Sequence, residues 1–339
     1  MKNIVRSISY NLGIADIAKE WVVKARQIGE LVKFSITERP SAASTILLAG
    51  SGRGGTTWVS EILTSLPNVQ LIYEPLRPES VPDLWPITNW NPNEPRRLRS
   101  YYLNAEDHSS QWHDFLEKML TGQIRNYWTD VRRTSYFPNR FLIKAIRANL
   151  MLGYIYENFH PFIICLKRHP CATIASRLNA PKPWYPSVQD LLAQEKLVED
   201  YLRPWIADIE KDTDIVGANA IWWAVENMVA DKELESRHHY TLSYEALCLE
   251  PQQNVRNLLE WLNLTQHVQL SYDFRKPSRL THPKTNYESQ VERLIQWKKQ
   301  LDQRDQYRII EWAHKLGVDY YDDTPLPVAM KSDAALLQN

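Results

Sequence analysis

Four glycines, one arginine and two threonines are packed between Gly50 and Thr57 in the stretch ILLAGSGRGGTTWVSEIL, Ile46 to Leu63. Gly50, Gly52, Gly54 and Gly55 let a backbone take positive φ and approach a ligand closely. A helix opening at Thr56 would add unpaired N–H groups and the positive end of a dipole. An anion, above all a phosphate, suits such a turn. Gly50 and Gly55 keep the spacing of a nucleotide-triphosphate loop, but Thr56 stands where that loop carries its lysine. The cradle is present without the triphosphate hardware.

A second cluster lies in FIICLKRHPCATIASRL, Phe162 to Leu178. The apolar run predicts a strand that delivers Arg168 to its carboxyl end, and Pro170 opens a helix, where its missing N–H does no harm. Ser176 then falls two turns in, near enough to share an anion with Arg168. A guanidinium and a hydroxyl together suit a phosphate monoester.

The elements that hold these residues alternate. TILLAG, VQLIY, RFLIK and FIICLK read as short buried strands, with helices at Thr56–Leu66, about 150–159 and Pro170–Leu178 between or after them. This is the pattern of an α/β fold with a central, mainly parallel sheet flanked by helices on both faces. Ligands then gather at the carboxyl ends of the strands, where GSGRGG, YEP and KRHP all fall. Further on, IWWAVENMVADKEL reads as helix, HHYTLSY as strand, and PQQNVRNLLEWLNL as a helix begun by proline. Residues 1–44 read as a helical extension, 45–325 as the principal domain and 326–339 as a tail, with an insertion at about 75–139 rich in Trp, Tyr, Pro and Arg.

The chain has 339 residues, 44% of them hydrophobic, enough to bury a full core. Forty basic residues balance forty acidic ones, which argues against a nucleic-acid coat or a polybasic membrane anchor. Cys165, Cys171 and Cys248 are odd in number and lack metal-ligand spacing. No long apolar segment is present near the N-terminus, so no integral membrane segment is expected, and the expected location is cytoplasmic.

Taken together, GRGGTTW resembles the 5′-phosphosulfate loop of the sulfotransferase family, and RHPCATIAS resembles its 3′-phosphate motif. LSYEALCLEPQQNVRNLLEWLNL, Leu242 to Leu264, is similar to a third family segment. The likeness is closer to the carbohydrate and bacterial types than to the cytosolic small-molecule type. It implies a P-loop-like three-layer fold and transfer of a sulfuryl group from 3′-phosphoadenosine 5′-phosphosulfate (PAPS) to a hydroxyl or amine by in-line displacement. The product nucleotide would be 3′,5′-adenosine bisphosphate, and no metal is implied. Under the resemblance Gly54, Gly55, Thr56 and Thr57 hold the 5′-phosphate, Trp58 and Tyr244 meet the adenine, and Arg168 and Ser176 grip the 3′-phosphate. Arg275, Lys276 and Ser278 would close over the donor.

Arg53 takes the place of the family's lysine beside the leaving oxygen. It can donate to that oxygen but does not give up a proton at neutral pH. Ile146 replaces the histidine that serves as base in the small-molecule branch. The glutamate of LIYEPLRP, Glu74, is therefore the expected base, with Lys144 and Arg147 at the next strand end and His108 and His113 as reserve candidates. Interleaved aromatics and arginines in the insertion would select a small-molecule or glycan acceptor. A P-loop-type kinase or NTPase, and a module that binds PAPS without turning it over, are the competing readings. Acceptor identity, the position sulfated, oligomeric state and the role of residues 1–44 stay open at this point.

Overall fold

The computed structural model describes residues 14–91, 100–132, 135, 138–264, 272–274 and 290–330. A five-stranded sheet lies at its centre, built from β1 (Ile46–Gly50), β2 (Val69–Tyr73), β3 (Arg140–Ala145), β4 (Phe162–Lys167) and β5 (Tyr240–Ser243). The order is β2-β3-β1-β4-β5 and every pairing is parallel. β1 is buried throughout, which is why it reads as an unbroken apolar run. Its side chains alternate between faces. Ile46 and Leu48 join one core cluster, Leu47 and Ala49 another.

Helices cover both faces, as the alternation of the sequence predicts. On one side α1 (Ile14–Ile36) sets Phe34 against a core in which Phe115 and Leu116 of α3 (Ser110–Leu120) meet Ile143 and Tyr154, the latter from α4 (Leu152–Phe159). On the other, α2 (Thr56–Leu63), α7 (Tyr244–Leu249), α8 (Pro251–Trp261) and α9 (Gln290–Ile295) enclose Val59, Leu247, Leu258 and Leu294. A third cluster joins α5 (Pro170–Leu178), α6 (Ile215–Leu234) and α10 (Gln303–Lys315) around Trp222, Trp223 and Trp312. α6 is buried nearly all round, as suits a helix that runs through a core.

The helix starts follow the capping chemistry of the sequence. Asp214 accepts from the N–H groups of Val216 and Gly217 at 2.9 Å each, and Ser243 accepts from Ala246 N–H at 3.2 Å. Pro170 and Pro251 occupy first turns. The expected helix over Thr56–Leu66 ends at Leu63, and the N-terminal extension is helical over Ile14–Ile36. That helix is tied to the β2–β3 connection by Glu30, which pairs with Arg125 at 3.0 Å, both nearly fully buried. Leu326, assigned to the tail from sequence, is buried in the core.

Because β1 and β2 are separated by β3, while β4 lies on the opposite side of β1, the chain reverses direction across the sheet at β1. The carboxyl end of β1 is a topological switch point, and the glycine-rich loop leaves it there.

Candidate active site

The loop after β1 turns tightly, with Gly54 N–H donating to Ser51 C=O at 2.8 Å. Gly55 caps α2 with φ 102°, a left-handed conformation that glycine tolerates. A Cβ there would fall 2.5 Å from Tyr244 Cδ2, so the tyrosine ring lies directly against the loop. The first helical bonds run from Trp58 and Val59 N–H to Gly55 C=O at 2.9 and 3.3 Å. The N–H groups of Thr56 and Thr57 therefore stand ahead of the helix's own ladder, with both side chains buried beside them.

Arg53, Arg168 and Ser176 converge on this turn. Arg53 Nε donates to Ser176 Oγ at 3.0 Å, and Arg168 Nη1 donates to Arg53 C=O at 2.8 Å. The Arg168 guanidinium lies over the Tyr244 ring, 4.3 Å from its centroid, and Tyr244 meets Trp58 edge-on at 5.7 Å. Arg168 Nε and Trp58 Nε1 are buried donors without a hydrogen-bond partner. Buried donors of this kind call for an acceptor, and an anionic nucleotide is of the right chemistry. Arg293, which the sequence reading did not single out, places its guanidinium 5.7 Å from the Trp58 ring centroid.

Glu74 and Lys144 meet at the carboxyl ends of β2 and β3. Both are almost fully buried and form a close ion pair between Lys144 Nζ and Glu74 Oε1. The other carboxylate oxygen accepts from Ile146 N–H at 3.3 Å. Trp128 Nε1 donates to Glu74 C=O at 3.3 Å, and its ring lies beside Tyr73 and under Arg77. Arg77 and Arg147, the arginines nearest to Glu74 in sequence, both face Glu79 instead, at 3.6 and 3.9 Å.

Backbone strain singles out Arg53 and Glu74. Among the described residues, non-glycine positions with positive φ are Arg53, Asn68, Glu74, Asn89, His160 and Asn263. Asparagine and histidine accept that region readily, but arginine and glutamate do not. Arg53 at 70° and Glu74 at 46° are held there by the hydrogen bonds described above.

A buried polar layer supports the loop from below, and sequence reasoning missed it. Ser51 Oγ donates to Glu226 Oε2 at 2.9 Å, and Asn227 Nδ2 donates to Ser51 Oγ at 3.2 Å. Arg177 Nε donates to Gly52 C=O at 3.0 Å while its Nη2 reaches Glu226 at 3.3 Å. These groups come from the middle of α6 and the end of α5. The sequence carries no distinguishing sign of it, since Arg177 stands at a helix end and Glu226 is one of several charged residues in α6.

His169, next to Arg168, is buried and holds α5. Cys171 N–H donates to its Nδ1 at 3.2 Å and its Nε2 lies 2.9 Å from Asp322 C=O. Burial pushes its pKa down to about 4 against the pull of the Asp322 and Thr324 carbonyls. His169 N–H donates in turn to Glu245 Oε1 at 2.9 Å. Burial raises the Glu245 carboxyl above its usual range, opposed by that bond and by Tyr321 O–H at 2.9 Å.

Of the reserve bases, His113 packs on Phe159 at 4.8 Å, just before β4 begins and so at the amino-terminal end of the sheet, away from the loop. His108 is exposed. Arg275, Lys276 and Ser278 lie outside the described residues. The same is true of Arg96, Arg97, Arg99 and Arg133 in the insertion. Trp112 in that insertion is a core residue beside Phe115 and Tyr101. All three cysteines are buried and unpaired.

The sulfotransferase family profile matches residues 45–268, well over half of the chain, and the protein belongs to that family. The match takes in the glycine-rich loop, both strand-end arginines and the Tyr244 segment, and with the parallel sheet it defines a P-loop-like α/β sulfotransferase enzyme. Among solved structures, the sulfotransferase domain from the curacin biosynthetic pathway aligns at 16% identity over 88% of this chain and 98% of its own, TM-score 0.37. The sulfotransferase domain of the Synechococcus PCC 7002 olefin synthase aligns at 13% identity over 82% and 94%, TM-score 0.39. A sulfotransferase from Alicyclobacillus acidocaldarius aligns at 12% identity over 82% and 97%, TM-score 0.35. No curated protein sequence matches the chain. Among the described residues, no helix is long and apolar enough to cross a membrane, and no group of three or more metal-ligating side chains occurs.

Proposed function

We propose that this sulfotransferase uses PAPS as donor and transfers its sulfuryl group to a hydroxyl or amine of a carbohydrate, glycolipid or other metabolite. The observation that carries the reading is the convergence of Arg168, with an unpartnered buried Nε, and Ser176 on Arg53 at the open first turn of α2. Such a set suits two separate phosphate groups on one nucleotide.

In this reading the N–H groups of Gly54, Gly55, Thr56 and Thr57 hold the 5′-phosphate, while Arg168 and Ser176 hold the 3′-phosphate. Trp58 and Tyr244 contact the adenine, and Arg275 and Lys276 close the donor side. The bound donor supplies the sulfuryl group for in-line displacement. Arg53 then stabilises charge on the leaving oxygen as a fixed donor, since a guanidinium keeps its proton at neutral pH. Glu74 accepts the acceptor's proton at a carboxylate oxygen, and Lys144 orients that carboxylate through their ion pair. The acceptor lies on the β2–β3 side, where the insertion 75–139 borders Glu74 through Trp128.

The test is calorimetric titration with 3′,5′-adenosine bisphosphate, beside 5′-AMP and ATP with magnesium. Binding of the bisphosphate alone, lost in Arg168→Ala, supports the donor assignment. Equal or tighter binding of magnesium-ATP refutes it in favour of a kinase or NTPase, and donor binding without transfer to any acceptor favours a binding module.

A further inference from the structure

A small pocket opens between the glycine-rich loop and the carboxyl end of β3. Gly52, Ile146, Arg147, Trp184, Trp222 and Glu226 are among the residues that line it. Gly52 belongs to the loop, and the N–H of Ile146 is bonded to Glu74, so the pocket adjoins both the donor cradle and the proposed base. The two tryptophans give it flat apolar walls. A Cβ on Gly52 would lie 2.3 Å from Trp184 Cη2, so that wall sits tight against the loop.

The polar groups of the pocket differ in how they are engaged. Arg177 and Glu226 bond to each other and to the loop, and structural work accounts for them. Arg147 is different. Its Nε is buried without a hydrogen-bond partner, and its Nη2 has only a long approach of 3.9 Å to Glu79, a half-exposed carboxylate. A guanidinium held at a pocket wall in this state is a ready fork for a planar anion.

We propose that Arg147 anchors a carboxylate on the acceptor, so that the substrate is a hydroxy- or amino-carboxylic acid with its acidic group close to the group sulfated. The proposal rests on the sulfotransferase reading of the site. The short reach follows from the chain itself, because Arg147 is the residue after Ile146, whose N–H holds the Glu74 carboxylate. A singly charged carboxylate fits better than a phosphate dianion, since Glu79 already approaches this one guanidinium and Glu226 lines the same pocket. The partly exposed indole of Trp184 offers an apolar surface to the carbon skeleton between the two polar ends, while Trp222 backs the pocket from the core. A site with a buried donor aimed at one substrate group discriminates strongly against analogues that lack it, because the donor is then left unpaired.

The experiment uses the full chain saturated with 3′,5′-adenosine bisphosphate and a paired library of hydroxy acids, uronic acids and amino acids with their methyl esters. Binding is measured by ligand-observed NMR for the wild type, Arg147→Gln and Arg147→Lys. Acids are expected to bind roughly tenfold to a hundredfold more tightly than their esters. Arg147→Gln should erase that preference, and Arg147→Lys should retain part of it, while bisphosphate affinity stays unchanged in both. Equal binding of acids and esters, absence of any acid binding at millimolar concentration, or a preference that survives Arg147→Gln overturns the anchor. Failure of the bisphosphate itself to bind instead overturns the donor reading beneath it.

Discussion

Replacing Glu74 by glutamine separates the catalytic role of this carboxylate from its structural one. In the wild type, Glu74 and Lys144 are 3% and 2% exposed and neutralise each other. Glu74→Gln would leave Lys144 as an uncompensated buried cation, and breaking one partner of such a pair costs about 3–5 kcal/mol. The amide oxygen can still accept one hydrogen bond, so the lower end of that range is expected. Against a typical total stability of about 5–15 kcal/mol the loss is readily measured in denaturant. Lys144→Met in the same chain removes the stranded charge, and the double variant should recover most of the lost stability. Turnover should not recover, because the group that takes the acceptor's proton is still missing; a loss of roughly two to four orders of magnitude is expected in both variants. The assay is transfer of labelled sulfate from PAPS, read beside calorimetric affinity for 3′,5′-adenosine bisphosphate, which should hold steady. If Glu74→Gln turns over at wild-type rate, or if the double variant regains activity along with stability, Glu74 is a structural residue and the base lies elsewhere.

Other perturbations test the rest of the site. Arg168→Ala should weaken bisphosphate binding by roughly 10- to 100-fold, the worth of a charge-assisted hydrogen bond, and calorimetry that shows no change removes the 3′-phosphate assignment. Gly55→Ala pushes a methyl into the Tyr244 ring at a φ of 102°, so a loss of about 1–3 kcal/mol in stability and of donor affinity is expected from parallel denaturant and calorimetric measurements. Glu226→Ala leaves Arg177 buried and unpaired and should cost about 3–5 kcal/mol by chemical denaturation, with weaker donor binding as the loop loosens. His169 titrates near 4 when folded and near 6.5 when unfolded, so the unfolded chain takes up the proton first as pH falls. Stability is therefore complete above about pH 6.5 and drops by roughly 3 kcal/mol on the way to pH 4, a slope that His169→Gln should remove. The raised Glu245 carboxyl acts in the opposite sense, because the folded chain then holds that proton more tightly than the unfolded one.

The sheet and the glycine-rich turn were legible because each depends on local pattern. β1 and β4 are unbroken apolar runs, Pro170 marks a first turn, and the loop glycines announce themselves by spacing. The Glu74–Lys144 pair was only half legible, since both residues sit predictably at strand ends but pairing depends on β2 lying next to β3. Nothing local tells which of Lys144, Arg77 and Arg147 wins the carboxylate. The layer beneath the loop was invisible for the same reason. Ser51, Arg177 and Glu226 come from the loop after β1, α5 and α6 and meet only in the folded chain, and Arg177 looks in sequence like any solvated helix-end arginine. Trp128 is one of the insertion's aromatics, and nothing local in the sequence shows that its indole N–H is bonded to the Glu74 carbonyl.

The placement of β1 between two strands that come later in the chain also governs when the enzyme can be born. The Arg53–Ser176 bond joins residues 123 apart, and the Ser51–Glu226 bond residues 175 apart. A nascent or refolding chain must close those long loops before the glycine turn has any floor or wall. Helical content should thus return well before nucleotide affinity, and a ribosome that has released only the first half of the polypeptide carries every loop glycine but neither Ser176 nor Glu226.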